Sequence, residues 1–201
     1  MVNSTLNVRK RIPNRIIPEY SKLNLNSNIW THTFHMTQSN RNADIDTPSP
    51  IKQPVFVIYH QNIQGLKGKT NEIIFSLISC APSIICLTEH HLLNNEIDTA
   101  WLPNYKLAVN YTRNSLKCGG VCIFIRDNIK FSKVDTLHYC KDQDLEITAI
   151  KLKLEKTKVI VFCLYRAQVG NFDYFINRLD DLRLTTFTLF TKIEICNVWG
   201  L

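Results

Sequence analysis

Short apolar runs separated by polar segments dominate the chain from residue 55 onward. Val55–Tyr59 and Ile84–Leu87 are unbroken apolar or aromatic runs with the length of buried strands. Between them, apolar residues recur at helical spacing, which predicts a helix over Thr70–Cys80 with Pro82 just after its end. A strand, a helix and a second strand in this order favour parallel pairing of the two strands through a right-handed crossover.

The pattern continues as a series of strands followed by one long helix. The apolar runs predict strands at Tyr105–Tyr111, Gly120–Ile125, Leu145–Leu154 and Val159–Tyr165. A helix is then predicted over Phe172–Leu184, with Asn171 as its N-cap. A last strand is predicted within Thr186–Cys196. Many strands with two helices predict an α/β domain.

Residues 1–54 have a different composition from the rest of the chain. They are rich in Asn, Ser, Thr and Pro and show no sustained hydrophobic period. Such a stretch buries too little apolar surface to offset the entropy of ordering it. We therefore expect a disordered or loosely structured leader that ends where the first strand begins.

Composition and charge narrow the class of protein. The chain has 201 residues, of which 45% are hydrophobic and 20% charged, enough for one domain with a real core. The net charge of +7 suits a polyanionic partner such as nucleic acid. No apolar run reaches 18 residues and no secretory signal follows the start, so we expect no membrane segment and an intracellular protein of the nucleus or cytoplasm.

The cysteine pattern favours neither a disulfide framework nor a zinc site. There are seven, an odd number, and none forms a Cys-x-x-Cys pair. A zinc site from Cys118, Cys122 and a histidine would lack the paired spacing of such sites. Buried free thiols in a reducing compartment are the better interpretation.

Two polar residues stand just past the first two predicted strands. Asn62 follows Val55–Tyr59, and Glu89 follows Ile84–Leu87. Parallel strands joined by a crossover end at the same edge of a sheet, so the two side chains are expected to lie close together. An amide oxygen and a carboxylate are ligands for a hard cation such as Mg²⁺, which polarises phosphoryl oxygens.

Four motifs in this order resemble the endonuclease/exonuclease/phosphatase superfamily, and most closely the apurinic-type endonuclease domain of non-LTR retrotransposons. The first two are His-Gln-Asn-Ile-Gln-Gly-Leu around Asn62 and Leu-Thr-Glu-His-His-Leu around Glu89. A glycine pair, Gly119-Gly120, then opens a central strand. The fourth is Tyr165-Arg166, with Gly170-Asn171-Phe172 before a helix. The resemblance covers residues 55–184 and leaves 185–201 as a divergent tail.

The resemblance implies a fold and a set of site residues. The fold would be an incomplete four-layer α/β sandwich, in which two β-sheets are flanked by helices. Glu89 and Asn62 would hold or orient Mg²⁺ against the scissile phosphate of DNA. Tyr165 would complete the catalytic set by a hydrogen bond to the phosphate, and Arg166 and His91 would contact the substrate phosphate.

Part of the catalytic set of this family has no counterpart in the chain. Relatives carry a Gly-Asp-Phe-Asn segment after the Tyr-Arg helix and a late Ser-Asp-His, whereas this sequence has no Gly-Asp and its last histidine is His138. The expectation is a truncated, retrotransposon-derived domain with little or no nuclease activity. A half sandwich would also expose strand edges and apolar surface, which predicts poor solubility or partner-dependent folding.

Three hypotheses therefore stand side by side. The first is a metal-dependent phosphodiesterase that nicks DNA. The second is a non-catalytic remnant that at most binds nucleic acid through its basic surface. The third, a phosphoinositide phosphatase-like or sphingomyelinase-like member of the superfamily, is disfavoured by the Tyr-Arg segment and the Gly-Asn-Phe helix start.

Overall fold

The computed structural model describes residues 20–21, 29–35, 55–114, 118–154, 157–186 and 192–199. These residues form two β-sheets with helices packed against them. The first sheet has six strands in the order β1-β2-β3-β4-β6-β5, and the second has four in the order β10-β9-β8-β7. The first sheet comprises β1 Tyr20–Ser21, β2 Ile29–His35, β3 Val55–Asn62, β4 Ile84–Thr88, β5 Tyr105–Tyr111 and β6 Val121–Arg126.

The remaining strands and the helices complete the chain order. The second sheet comprises β7 Ser132–Val134, β8 Glu146–Leu154, β9 Thr157–Arg166 and β10 Lys192–Trp199. The helices are α1 Leu66–Cys80, the short α2 Asn94–Ile97 and α3 Phe172–Thr186, with a 3₁₀ turn at Leu137–Tyr139. The predicted strands after residue 55 are present, each within a few residues of its expected ends except the last, which begins later than predicted.

Three apolar layers hold the elements together. One lies between the two sheets and includes Ile58, Ile123, Ile150 and Val161. A second joins α1 and α2 to the outer face of the first sheet, and a third joins α3 and the 3₁₀ turn to the outer face of the second. Helix, sheet, sheet and helix therefore stack in that order, which confirms the predicted four-layer α/β arrangement; its incompleteness stays a prediction.

The β3-α1-β4 unit positions the candidate site. β3 and β4 pair in parallel, with Asn62 opposite Thr88, as the alternation of strand and helix predicts. Helix α1 begins four residues earlier than predicted because Gly65, with φ of 108°, turns the chain directly into it. Of the predicted apolar face, Ile73 and Leu77 are buried, whereas Ile78 is 75% exposed.

Helix α3 begins as the sequence predicts. The Asn171 side chain accepts a hydrogen bond from the Tyr174 backbone N–H at 2.9 Å, which is an N-cap. The N–H of Asn171 itself donates to Asp144 Oδ1 at 2.6 Å, so the loop before β8 also holds this helix end. The buried stripe includes Phe175 and Leu182.

The terminal stretches contribute strands to both sheets. Residues 29–35 of the expected leader pair antiparallel with β3 and cover an edge that the sequence left open. Strand β10 lies later than the predicted Thr186–Cys196 and pairs in parallel with β9. Apart from 20–21, the other residues of 1–54 lie outside the described residues, as do 187–191 and 200–201, and the domain boundaries at 55 and 185 stay predictions.

The described part of the chain shows the state of its cysteines and the character of its helices. Cys86, Cys122 and Cys163 are buried thiols and Cys80 is a half-buried thiol, and none of these four is in a disulfide. None of the described helices combines the length and the apolarity that crossing a membrane requires.

Candidate metal and phosphate site

Asn62 and Glu89 meet at the edge where β3 and β4 end. The Asn62 side-chain Nδ2 donates to Glu89 Oε1 at 2.8 Å. The Asn62 Oδ1 also accepts a bond of 3.3 Å from the Gln64 N–H, which closes the strand as an Asx turn. The amide therefore orients one oxygen of the Glu89 carboxylate.

The backbone at Glu89 is held in an uncommon conformation. Glu89 and His91 have φ of 56° and 57°, the left-handed region that side chains other than glycine rarely adopt. Neighbouring loops hold this conformation on both sides, since Gly65 N–H donates to Glu89 O at 2.8 Å and His91 N–H donates to Gly119 O at 2.9 Å. Such strain concentrates at functional sites, where it fixes side-chain direction.

Tyr165 reaches the same carboxylate from the second sheet. It lies near the end of β9 in the apolar layer between the sheets, and its hydroxyl neighbours the Glu89 carboxylate. Burial, and then this neighbouring carboxylate, raise the pKa of Tyr165 above its ordinary value. The phenol is therefore a neutral donor at physiological pH, able to donate to an anionic oxygen.

The two histidines after Glu89 have different surroundings. His91 Nε2 lies 3.5 Å from Glu89 Oε2, and its side chain is 28% exposed, so it faces the site. His90 is fully buried, accepts a hydrogen bond from Leu92 N–H and has Nε2 3.0 Å from Tyr111 O. Burial lowers the pKa of His90 to about 4, so it is a neutral, structural imidazole.

Arg166 is turned into its own loop. Its Nη1 donates to Gly170 O at 2.8 Å and to Ala167 O at 3.1 Å, and its guanidinium lies 5.7 Å from the Phe172 ring centroid. This guanidinium therefore shapes the turn between β9 and α3. Its predicted phosphate contact stays a prediction, as do the roles of the other site residues.

A buried ion pair next to the site escaped the sequence analysis. Arg113 Nε donates to Glu146 Oε1 at 2.6 Å, and the two side chains are 5% and 0% exposed. The other Glu146 oxygen accepts the Gly120 N–H at 2.6 Å. Burial raises the pKa of Glu146, and these hydrogen bonds oppose that shift. The sequence feature that could have revealed this ion pair is Glu146 itself, a charged residue inside the apolar run Leu145–Ile150.

The donor set fits a hard divalent cation. Glu89 presents a carboxylate that is 15% exposed, and Asn62 directs its Nδ2 to that carboxylate while its Oδ1 accepts the Gln64 N–H. Mg²⁺ keeps several waters and uses one or two protein carboxylates together with substrate phosphate oxygens, so one carboxylate is a sufficient protein anchor. Within the described residues, no three His, Cys, Asp or Glu side chains form a metal-holding group.

The similarities to known proteins are structural and distant. No protein-family model matches the chain, and neither does any curated protein. Among solved structures, the endonuclease domain of TRAS1, a telomere-specific non-LTR retrotransposon, is similar at 8% identity with a TM-score of 0.49; the match covers 71% of this chain and 56% of that one.

Two further similar structures are an APE2 catalytic domain and an AP endonuclease. The catalytic domain of Xenopus laevis APE2 matches at 18% identity and a TM-score of 0.43, over 61% of this chain and 51% of that one. An AP endonuclease from Archaeoglobus fulgidus matches at 20% identity and a TM-score of 0.41, over 64% and 51%.

These comparisons concern the fold alone. The chain spans about half the length of the structures it matches. The four stacked layers and the strand order described above agree with the fold that the sequence resemblance implies.

Proposed function

We propose that this chain carries the metal-anchoring part of a phosphodiesterase site of the retrotransposon endonuclease type, and that it binds Mg²⁺ and DNA with little or no turnover. The observation that supports this most is the meeting of Asn62, Glu89 and Tyr165 from three strands and two sheets. Asn62 Nδ2 lies 2.8 Å from Glu89 Oε1, and the same carboxylate neighbours the Tyr165 hydroxyl and contributes to its raised pKa.

Each of these residues has a chemical task in the proposed site. Glu89 would anchor Mg²⁺ and Asn62 would orient the carboxylate. Tyr165 would donate its hydroxyl proton in a hydrogen bond to a phosphate oxygen, and His91 would lie beside that phosphate. When bound, Mg²⁺ would supply charge to polarise a phosphoryl oxygen.

The proposal of weak or absent turnover rests on the sequence. Hydrolysis needs a group that orients and deprotonates water in addition to a metal anchor. The chain has no Gly-Asp segment, and its last histidine, His138, lies exposed on the 3₁₀ turn. The partner would be DNA, and the location would be the nucleus or cytoplasm.

A plasmid-nicking assay with Mg²⁺ tests the catalytic part. We expect no conversion of supercoiled to open-circular DNA above the level of the Glu89→Ala variant. Nicking by the unaltered chain that disappears in Glu89→Ala would show an active nuclease and refute the proposal of inactivity. His138→Ala is the matched control, because it removes an exposed imidazole remote from Glu89.

Binding is measured separately. We expect Mn²⁺, used as a paramagnetic substitute for Mg²⁺, to bind the unaltered chain and to bind Glu89→Gln at least tenfold more weakly. DNA affinity should fall with rising salt, because a basic protein displaces counterions from phosphates. An unaltered chain that fails to bind Mn²⁺, or fails to bind DNA, would refute the proposed function.

A further inference from the structure

The Arg113–Glu146 pair lies between the two sheets, away from solvent. Arg113 follows β5 of the first sheet, and Glu146 is the first residue of β8 in the second. Two guanidinium nitrogens, Nε and Nη2, lie 2.6 and 2.5 Å from Glu146 Oε1. Glu146 also accepts the Gln143 N–H at 3.2 Å, so its carboxylate has several donors around it.

A pair in this position has no clear advantage for stability. The free-energy cost of removing two charges from water offsets most of their mutual attraction. An apolar pair of similar volume therefore generally stabilises a protein as well or better. Losing only one partner is harmful, because it leaves a buried charge uncompensated. A role in fixing the geometry of neighbouring groups would explain why charges are present here.

The carboxylate connects directly to the loop that carries Glu89. Glu146 Oε2 accepts the Gly120 N–H at 2.6 Å. The same glycine turn accepts the N–H of His91 through Gly119 O at 2.9 Å and that of His90 through Gly120 O at 3.4 Å. Glu146 is thus two hydrogen bonds away from the strained backbone around Glu89.

The glycine pair makes this approach possible. Gly119 and Gly120 have φ of 94° and 85°. A Cβ on Gly119 would overlap the Arg113 guanidinium, and a Cβ on Gly120 would overlap the His90 ring. The absence of both side chains lets the buried arginine and the histidine pack against the turn from its two sides.

Glu146 is also next to Tyr165, the candidate site residue of the second sheet. β8 and β9 pair antiparallel with Glu146 opposite Tyr165. The charges of Glu146 and Arg113 both act on the Tyr165 phenol. The Arg113–Glu146 pair therefore contacts the turn that holds the Glu89 loop and also lies next to Tyr165. Glu89 follows a strand of the first sheet, and Tyr165 belongs to the second sheet.

We propose that Arg113 and Glu146 are positioning residues: they tie β8 to the Gly119-Gly120 turn and so hold Glu89 and Tyr165 in place across the two sheets. The inference that the pair positions metal-site residues rests on the proposed function. The effect of the pair on the backbone of the 89–91 loop can be measured without any metal.

The test separates positioning from stability by an apolar swap. Arg113→Met combined with Glu146→Leu removes both charges at similar volume, and Arg178→Met with Asp181→Leu makes the same change in the exposed pair of α3. Thermal unfolding reports global stability. Amide hydrogen exchange is measured for His90 and His91, with the Ile123 amide of β6 as the internal reference, and Mn²⁺ affinity is measured in parallel.

In the buried swap we expect a lowered midpoint, because leucine at 146 leaves the Gly120 N–H without its acceptor, and the Ile123 reference corrects the exchange rates for this global loss. Exchange at His90 and His91 should be about tenfold faster relative to Ile123, the fold-change expected from losing one charge-assisted hydrogen bond. Mn²⁺ binding should weaken by a similar factor. The α3 swap should change neither. Unchanged exchange at His90 and His91 in a folded buried swap would overturn the proposal.

Two further outcomes are also decisive. If the buried swap does not fold, Arg113→Met combined with Glu146→Gln keeps the shape at 146 and leaves no uncompensated buried charge, and faster exchange at His90 and His91 relative to Ile123 is again expected; unchanged exchange in this variant would overturn the proposal. If the unaltered chain binds no Mn²⁺, the proposed function fails, and the exchange at His90 and His91 still decides whether the pair positions the loop.

Discussion

At the scale of single residues, two glycines have opposite surroundings and should respond oppositely to the same change. Gly120 has a positive φ, and an added Cβ would overlap the His90 ring. Gly68, in the first turns of α1, has nothing within 4 Å of that position. We expect Gly120→Ala to lower the free energy of unfolding by about 2 kcal/mol or more, through backbone strain and overpacking.

Gly68→Ala is the matched control for this prediction. Alanine suits a helix better than glycine, so the free energy of unfolding should rise by about 0.5–1 kcal/mol. Urea denaturation of both variants measures the two changes. Equal effects of the two substitutions would contradict the close packing of His90 on Gly120.

At the scale of elements, the start of α3 depends on a carboxylate from a different segment. Asp144 accepts the Asn171 N–H and forms an ion pair with Lys141 at 2.6 Å. Partial burial acts to raise the pKa of Asp144, but the hydrogen bonds from Lys141 and Asn171 outweigh it and hold the pKa below its ordinary value. The helix end is therefore stabilised by the ionised form.

The sign of the pH dependence follows from that direction. A carboxylate with a lowered folded-state pKa contributes its stability above its ordinary pKa and loses it as pH falls through the folded value. We expect Asp144→Asn to lower the free energy of unfolding by about 1–2 kcal/mol at pH 7, the range for a hydrogen bond to a charged group. The difference from the unaltered chain should shrink below about pH 4.

Urea denaturation of both proteins at pH 7 and pH 3 tests this. Asp181→Asn is the control, because its carboxylate is 55% exposed on α3. A difference between Asp144→Asn and the unaltered chain that persists unchanged at pH 3 would refute the role of the ionised carboxylate.

At the scale of the whole molecule, the shared apolar layer should make the two sheets unfold together. Ile123 of the first sheet is fully buried in the layer it shares with Ile150 and Val161 of the second. We expect Ile123→Ala to lower the free energy of unfolding by about 2–5 kcal/mol. Amide exchange should then become faster in β8 and β9 as well as in β6.

Ile78→Ala provides the comparison, since this isoleucine is 75% exposed on α1. Its effect should stay within about 0.5 kcal/mol, as for most surface substitutions. Protection of β8 and β9 that is unaffected by Ile123→Ala would show that the sheets unfold independently.

Much of the fold could be predicted because local patterns suffice for its elements. The runs at Val55–Tyr59 and Ile84–Leu87 are buried strands, and their crossover requires Asn62 and Glu89 to share an edge. The N-cap at Asn171 was likewise visible locally. Strand β2 was missed because it lies in a stretch without a sustained hydrophobic period. In the structure, Ile29–His35 pairs with β3.

The sequence by itself determined the order of strands and helices and the meeting of Asn62 with Glu89, because hydrophobic period and chain connectivity act over short distances. Only the tertiary structure decided which polar residues join that edge. Tyr165 and the Arg113–Glu146 pair reach it across the gap between two sheets, and Arg166 turns toward its own loop carbonyls. Those choices depend on how buried charges and hydrogen-bond donors are satisfied in three dimensions, which a linear pattern does not encode.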